Sequence, residues 1–226
     1  MHAMSLQRAA LVLALIALTF APASAQDAPA SAEDNPALIH IGHLADGFTG
    51  TPEGQGLLPT ALAEAEVAVR HATLAAADTA NLDAIKLHIG HVLHAIDPTA
   101  LESGPGLGYG LKQAAEGVVR HAAMVWNTEE AARPIRMHAE HVTVSARNVV
   151  QRADSIVVLA RRIREATAAP EAADLLDDLR AQSDALISGV DANRDGGIGW
   201  RRGEGGLEQA RQHLEVLKRV AATTDG

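Results

Sequence analysis

The chain has 226 residues, a formal net charge of −9, no cysteine and an aromatic content of 2%. The negative charge argues against nucleic acid as a partner, because phosphate backbones require a basic surface. The lack of cysteine excludes disulfides, thiolate metal ligands and covalent haem attachment through a C-x-x-C-H motif. Alanine supplies much of the apolar content, so we expect closely packed helices and an all-α fold.

Residues 1–25 have the pattern of a secretory signal peptide. Arg8 provides the positive charge, an apolar run follows from Ala9 to Phe20, and Ala23-Ser24-Ala25 suits cleavage before Gln26. Cleavage there removes one arginine and no acid, so the net charge changes from −9 to −10. No later stretch is apolar enough to predict a membrane span. We therefore expect a periplasmic or secreted protein with no membrane span after processing.

The remaining chain predicts a flexible tail followed by amphipathic helices. Residues 26–36 are rich in Ala, Ser, Asp and Pro, a composition that favours disorder. Beyond them, apolar residues recur at helical spacing. The predicted helices cover about 37–46, 57–78, 82–96, a stretch from the glycine-rich loop 104–110 to 126, 129–168, 171–190 and 204–222. We expect residues 37–168 to form an antiparallel helical bundle, with a helical hairpin at 171–222 packed against it.

Two segments of the bundle, about 38–76 and 86–126, repeat one pattern. Aligning 54–72 with 104–122 gives identical residues at nine positions, among them the Arg-His pairs that end at His71 and His121. Each unit contains a helix with an H-x-x-H motif, a glycine-rich loop, and a helix carrying Arg-His. A repeat of this length indicates a duplicated helical hairpin. A third, diverged unit could begin with the H-x-x-H of the helix predicted at 129–168 and include His213.

The H-x-x-H spacing places two imidazoles side by side on one helix. One pair cannot complete a tetrahedral metal site, so we expect pairs from neighbouring helices, or a pair with His71 or His121, to share an ion. With nitrogen and oxygen ligands alone, Cu(II), Zn, Ni or Co are the suitable ions. On the helix 82–96, the apolar stripe has His88 at its edge and His91 with His94 on the opposite side. The candidate ligands are His40, His43, His71, His88, His91, His94, His121, His138 and His141.

Two other functions remain open for the same histidines. Non-covalent haem could be bound by two imidazoles on facing helices, and the candidates are His88, His91, His121 and His138. Alternatively, the histidines are packed in a structural or interaction bundle that binds no metal. An enzyme is not favoured, because the chain lacks a G-x-S-x-G elbow, an H-E-x-x-H motif and a cysteine nucleophile.

A short acidic loop lies between the last two predicted helices. Asp, Asn, Asp, Gly and Ile occupy its first, third, fifth, sixth and eighth positions. Residues 191–204 thereby resemble the calcium loop of the EF-hand family, which implies a weak, structural calcium site and an EF-hand-like helix-loop-helix. The sequence departs from the family at the twelfth position, where Arg202 replaces the bidentate Glu, and an alternative is a relic that binds no calcium. The implied ligands are Asp191, Asn193, Asp195, Gly197 and Glu204.

Overall fold

The computed structural model describes residues 35–101, 103–129 and 131–224. The predicted signal peptide and all but the end of the predicted tail lie outside the described residues. Within this part of the chain there are seven α-helices, so the predicted all-α bundle is confirmed. They are α1 (Pro36–Ala45), α2 (Leu57–Ala75), α3 (Leu82–Ile96), α4 (Leu111–Asn127), α5 (Arg133–Glu165), α6 (Ala169–Ser188) and α7 (Leu207–Thr224).

Local side-chain chemistry fixes where several helices begin. The side chain of Asn35 accepts a hydrogen bond from Ala37 N, and that of Asn81 accepts one from Ala84 N, so both act as N-caps. Gly56 starts α2 directly against the end of α1, where a Cβ would lie 2.5 Å from a backbone carbon. The close approach that glycine permits here places α1 beside the bundle.

The bundle is organised around α5, which has 33 residues and packs against α3, α4, α6 and α7. The helix α2 packs against α3, α4 and α6, while α1 lies mainly on α4. Alanine is the commonest residue of the fully buried core, with leucine, isoleucine and valine between the alanines. Small side chains at these contacts let the helix axes approach closely, which brings residues near the bundle surface on adjacent helices within reach of each other.

A buried carboxylate holds the second glycine-rich loop on α2. Glu64 is fully buried, and its Oε1 accepts hydrogen bonds from Tyr109 N and Gly110 N. Gly110, the N-cap residue of α4, has a φ of 88° and no side chain, and the carboxylate of Glu64 satisfies its backbone N–H and that of Tyr109 immediately before the helix. Glu64 thus positions the beginning of α4 relative to α2.

The last helix begins later than the sequence predicts. We expected it from residue 204, but α7 starts at Leu207, because Gly205 and Gly206 form a tight connection against neighbouring backbone and side chains. A Cβ on Gly206 would lie 2.6 Å from Ile187 O. Glu204 is therefore a loop residue. None of the described helices is both long and apolar enough to cross a membrane.

Candidate metal centres

Nine histidines converge in three separate triads, each formed by an H-x-x-H pair on one helix and a single histidine from another. In each triad the three ligand atoms lie within 4.8 Å of one another, and the side chains are partly buried. No other group of three His, Asp or Glu side chains in the described residues meets in this way. The triads are His40, His43 and His121 (triad 1), His71, His88 and His91 (triad 2), and His138, His141 and His213 (triad 3).

Triad 1 joins α1 to α4. The Nδ1 atom of His121 lies 3.1 Å from Nδ1 of His40 and 3.3 Å from Nδ1 of His43. Phe48, in the loop after α1, presents its ring edge-on to His43 and His121 at centroid distances of 5.4 and 5.1 Å. The site therefore has an aromatic wall on one side and connects positions about 80 residues apart in the chain.

Triad 2 joins α2 to α3. Here Nδ1 of His71 lies 3.1 Å from Nδ1 of His88 and 3.3 Å from Nδ1 of His91. Among the described residues this triad has no aromatic neighbour outside its own three rings. The ring of His91 instead forms part of the wall of a surface cavity. Triad 2 thus borders an open volume.

Triad 3 joins α5 to α7. The Nδ1 atom of His213 lies 3.1 Å from Nδ1 of His138 and 3.4 Å from Nδ1 of His141. Trp200 stacks on His141 with a centroid distance of 3.8 Å and an interplanar angle of 14°. The backbone after Trp200 is fixed to α5, because Arg152 donates hydrogen bonds to three successive carbonyl groups at 203–205. The indole therefore fixes the plane of one ligand ring.

The nitrogen separations match the geometry of a tetrahedral metal ion. Zinc–imidazole bonds of about 2.0–2.1 Å place two ligand nitrogens about 3.3–3.4 Å apart at the tetrahedral angle. The separations between Nδ1 of the single histidine and Nδ1 of each member of its pair, 3.1 to 3.4 Å, fall close to this value in all three triads. Three nitrogens on one side of an ion leave a fourth coordination position. Two nitrogens 3.1 Å apart leave no room for a porphyrin between them.

Direct hydrogen bonding does not satisfy these nitrogens. In each triad the Nδ1 atom of the single histidine is within 3.4 Å of the Nδ1 atoms of both partners. A neutral ring nitrogen offers either one hydrogen or one lone pair in the ring plane, so it cannot form two good bonds of this kind. A shared cation instead accepts all three lone pairs. The triads could therefore each hold a metal ion.

The surroundings of the triads favour neutral imidazoles, the form that can coordinate a metal ion. Burial, which is the larger cause, and the positive charge of protonated neighbouring histidines together lower the pKa of His71, His121 and His213 to about 4. At pH 7 these rings carry a free lone pair, which is the form that binds metal. Burial is also the main cause of the lowered pKa of His40, His91, His138 and His141.

The two repeat units build their triads crosswise. The H-x-x-H pair of the first unit meets His121 of the second, and the pair of the second unit meets His71 of the first. The prediction that a pair would be completed by His71 or His121 is thus matched by the geometry. His94 was also a candidate ligand, but the structure places it outside the three triads. His94 is buried, and its Nδ1 is bonded to Leu101 O at 2.8 Å.

Three residues at the triads were not among the residues predicted from the sequence. His213 completes triad 3, although its distance from Gly206-Leu207 differs from the distances seen in the two repeats. The signal available in the sequence was that the H-x-x-H pair on α5 otherwise lacks a third ligand. Phe48 and Trp200 border the triads from loops, where no periodic pattern identifies them.

The acidic loop adopts a tight turn in which its carboxylates bind its own backbone. Asp191 accepts hydrogen bonds from Asp195 N and Gly196 N, and Asn193 Oδ1 accepts one from Asp195 N. Glu204 is buried, and its Oε2 accepts a bond from Gly199 N. The carboxylates of Asp191, Asp195 and Glu204 are not among the groups whose ligand atoms lie within 4.8 Å of one another in the described residues.

Comparison of the chain with protein-family models, with curated proteins and with solved structures finds no match.

Proposed function

We propose that this is an exported protein that binds three transition-metal ions, one in each histidine triad. The observation that supports this is the threefold recurrence of one arrangement: an H-x-x-H pair and a third imidazole, with their Nδ1 atoms converging at 3.1 to 3.4 Å. The three sets share no residue and lie on three different helix pairs. Packing alone gives no reason for the same nitrogen atom to be turned inward nine times.

The ligand set favours Zn and Cu(II), with Ni and Co as chemically related alternatives. Three imidazoles and no thiolate suit these borderline ions, whereas Ca and Mg prefer oxygen. The position left by three ligands would be taken by water or by a small ligand, which allows an ion to enter and leave. Reversible binding of several ions fits buffering or delivery of a metal in the periplasm or outside the cell.

Metal stoichiometry tests this proposal. We expect elemental analysis and titration calorimetry with Zn and Cu(II) on the chain from Gln26 to give three ions per chain. Substituting the single histidine of one triad, as in His71→Ala, His121→Ala or His213→Ala, should reduce the count to two. His94→Gln is the matched control, because His94 lies outside the triads, and it should keep all three ions. A wild-type count near zero for both ions would refute the proposal in favour of a bundle of packed histidines.

For the acidic loop we propose weak calcium binding through Asp191, Asn193 and Asp195. Support comes from the spacing of these oxygen ligands and from a turn in which their side chains are already ordered by backbone N–H groups. Since Glu204 is bonded to Gly199 N, it would have to leave that partner to coordinate calcium. Calorimetry with calcium should show binding that Asp191→Ala abolishes while three zinc ions remain bound. Loss of zinc in the same variant would show that the acidic loop and the histidine triads are not separate metal sites.

A further inference from the structure

Triads 2 and 3 have nearly the same internal geometry. In triad 2, the ring centroid of the single histidine lies 5.3 Å from that of the first member of the pair and 4.5 Å from that of the second, and the two members lie 5.8 Å apart. The corresponding distances in triad 3 are 5.3, 4.4 and 5.7 Å. The Nδ1 separations of 3.1 and 3.3 Å in triad 2 likewise correspond to 3.1 and 3.4 Å in triad 3. His91 in triad 2 is therefore the counterpart of His141 in triad 3, and the two sites differ mainly in their surroundings.

His141 has an aromatic neighbour that its counterpart lacks. The indole of Trp200 stacks on His141 at a centroid distance of 3.8 Å and an interplanar angle of 14°. Among the described residues, the ring of His91 contacts no aromatic ring except those of the other two histidines in triad 2. An imidazole detaches from an ion by turning out of its coordination position, and a ring stacked on it at van der Waals distance opposes that movement. Stacking therefore confines His141 but not His91.

The backbone on both sides of Trp200 is held by hydrogen bonds. Gly199 N, immediately before the indole, donates to Glu204 Oε2 at 3.1 Å. The carbonyl group of Arg201, immediately after it, accepts a hydrogen bond from Asn148 Nδ2 at 2.9 Å. The indole therefore cannot move off the imidazole unless these contacts are broken or its own side chain rotates.

The side chains of α5 that hold this segment lie on the same stretch of helix as the metal ligand. Asn148 and Arg152 follow His141 by about two and three helical turns. Arg152 donates hydrogen bonds of 2.7 to 2.8 Å to the carbonyl groups at 203–205. The ligand and the anchors of the stacked indole thus belong to one helix, so movement of α5 against its neighbours does not separate them.

We propose that Trp200 makes triad 3 the site that retains its metal ion, while triad 2 exchanges its ion more rapidly. This inference rests on the proposed function of the triads and divides their ions into two kinds. Trp200 offers no ligand atom, because the indole N–H is only a donor, and it acts by positioning a ligand ring. An aromatic pair contributes a factor of about two to ten beyond the burial of its surface, so the ion of triad 3 should dissociate about two- to tenfold more slowly. The ion of triad 2 is then the one available for delivery.

Zinc release to an excess of a colorimetric chelator, followed by stopped-flow absorbance, tests the proposal. The His121→Ala chain is suitable because it lacks triad 1 and retains triads 2 and 3. Its two ions should leave in two phases of one ion each, the slower about two- to tenfold below the faster. A further His213→Ala substitution should abolish the slow phase, and His71→Ala should abolish the fast phase.

Variants of Trp200 connect the slow phase to the stacked ring. Trp200→Leu in the same chain should raise the slow rate to that of the fast phase. Trp200→Phe should restore most of the difference, because a phenyl ring can still stack on His141. Trp126→Leu is the matched control and should change neither rate, because this exposed indole lies on α4, which contributes no histidine to triad 2 or triad 3.

Zinc content measured before mixing separates this inference from the proposed function. A chain that loads no zinc would refute the proposed function itself. Two loaded ions that leave at one rate, or a slow phase that survives His213→Ala, would overturn the inference and leave the metal sites standing. A Trp200→Leu chain that loads two ions and still releases one slowly would overturn it as well. If Trp200→Leu loads only one ion, Trp200→Phe decides: release slower than that of triad 2 supports the stacking, and release at the rate of triad 2 overturns it.

Discussion

Zinc should stabilise the fold in three separable increments. Each ion joins two helices in the folded state, whereas the unfolded chain has no preformed triad. With free zinc at 100 times the dissociation constant, one site contributes about 2.7 kcal/mol to the free energy of unfolding, so three sites contribute about 8 kcal/mol. For a chain of this size, 1 kcal/mol raises the melting temperature by about 2–4 °C, which predicts a rise of roughly 16–32 °C.

Removing one triad should remove one third of that rise. The triads share no residues and lie on different helix pairs, so their contributions are expected to be additive. His121→Ala should therefore lower the zinc-induced shift, measured by differential scanning calorimetry, by about 5–11 °C. The relevant quantity is the difference with and without zinc within each variant, because the substitution also alters the metal-free fold. His94→Gln should keep the full shift. An undiminished shift in His121→Ala would refute the view that triad 1 binds an ion.

Three further predictions concern the metal-free protein and the surroundings of the sites. Since the pKa of His71, His121 and His213 is about 4 in the folded state and ordinary in the unfolded state, stability should fall as pH decreases from about 6.5 to about 4; NMR titration of the imidazoles and denaturant melts will measure this. Cu(II) should quench the fluorescence of Trp200 through its contact with triad 3, and Trp200→Leu should remove that component. Glu64→Ala should lower the free energy of unfolding by roughly 2–3 kcal/mol, because a buried and a partly buried backbone donor lose their acceptor.

Each of these three has a result that contradicts it. Imidazoles that titrate near pH 6.5 would show that burial does not keep the triads neutral. Quenching that persists fully in His213→Ala would place the copper elsewhere, since this variant lacks triad 3 but keeps the indole. A Glu64→Ala chain as stable as wild type would show that water replaces the carboxylate at the start of α4.

The sequence predicted the fold class and most of the triad histidines because both depend on local patterns. Helical spacing identified the bundle, and the H-x-x-H spacing identified six of the nine triad histidines as pairs. The repeat added His71 and His121. The choice of partners depends on which helices are adjacent in space, and this could not be read from periodicity. His94 shows the same limit. Its position on α3 resembles that of a triad histidine, but its Nδ1–H donates a hydrogen bond to Leu101 O in the turn after the helix.

The start of α7 illustrates a different limit. Propensity suggested that the helix could begin at Glu204, yet Gly205 and Gly206 are needed where the chain passes against α5 and α6. A Cβ on Gly205 would lie 2.6 Å from Ser145 Oγ. Such close approaches are set by tertiary packing. The resemblance to an EF-hand loop does not predict these close approaches, because it covers the loop and not the connection that follows it.

The crosswise construction of triads 1 and 2 means that neither repeat unit alone holds a complete site. One unit contains an H-x-x-H pair and an Arg-His, but within the chain these belong to different triads. Two copies of a single unit related by a twofold axis would complete two sites at once, since the contact of each copy with the other is the same. In this sense residues 38–126 have the arrangement of a symmetric homodimer joined into one polypeptide, in which an ion held by triad 1 or triad 2 would also hold the two halves together.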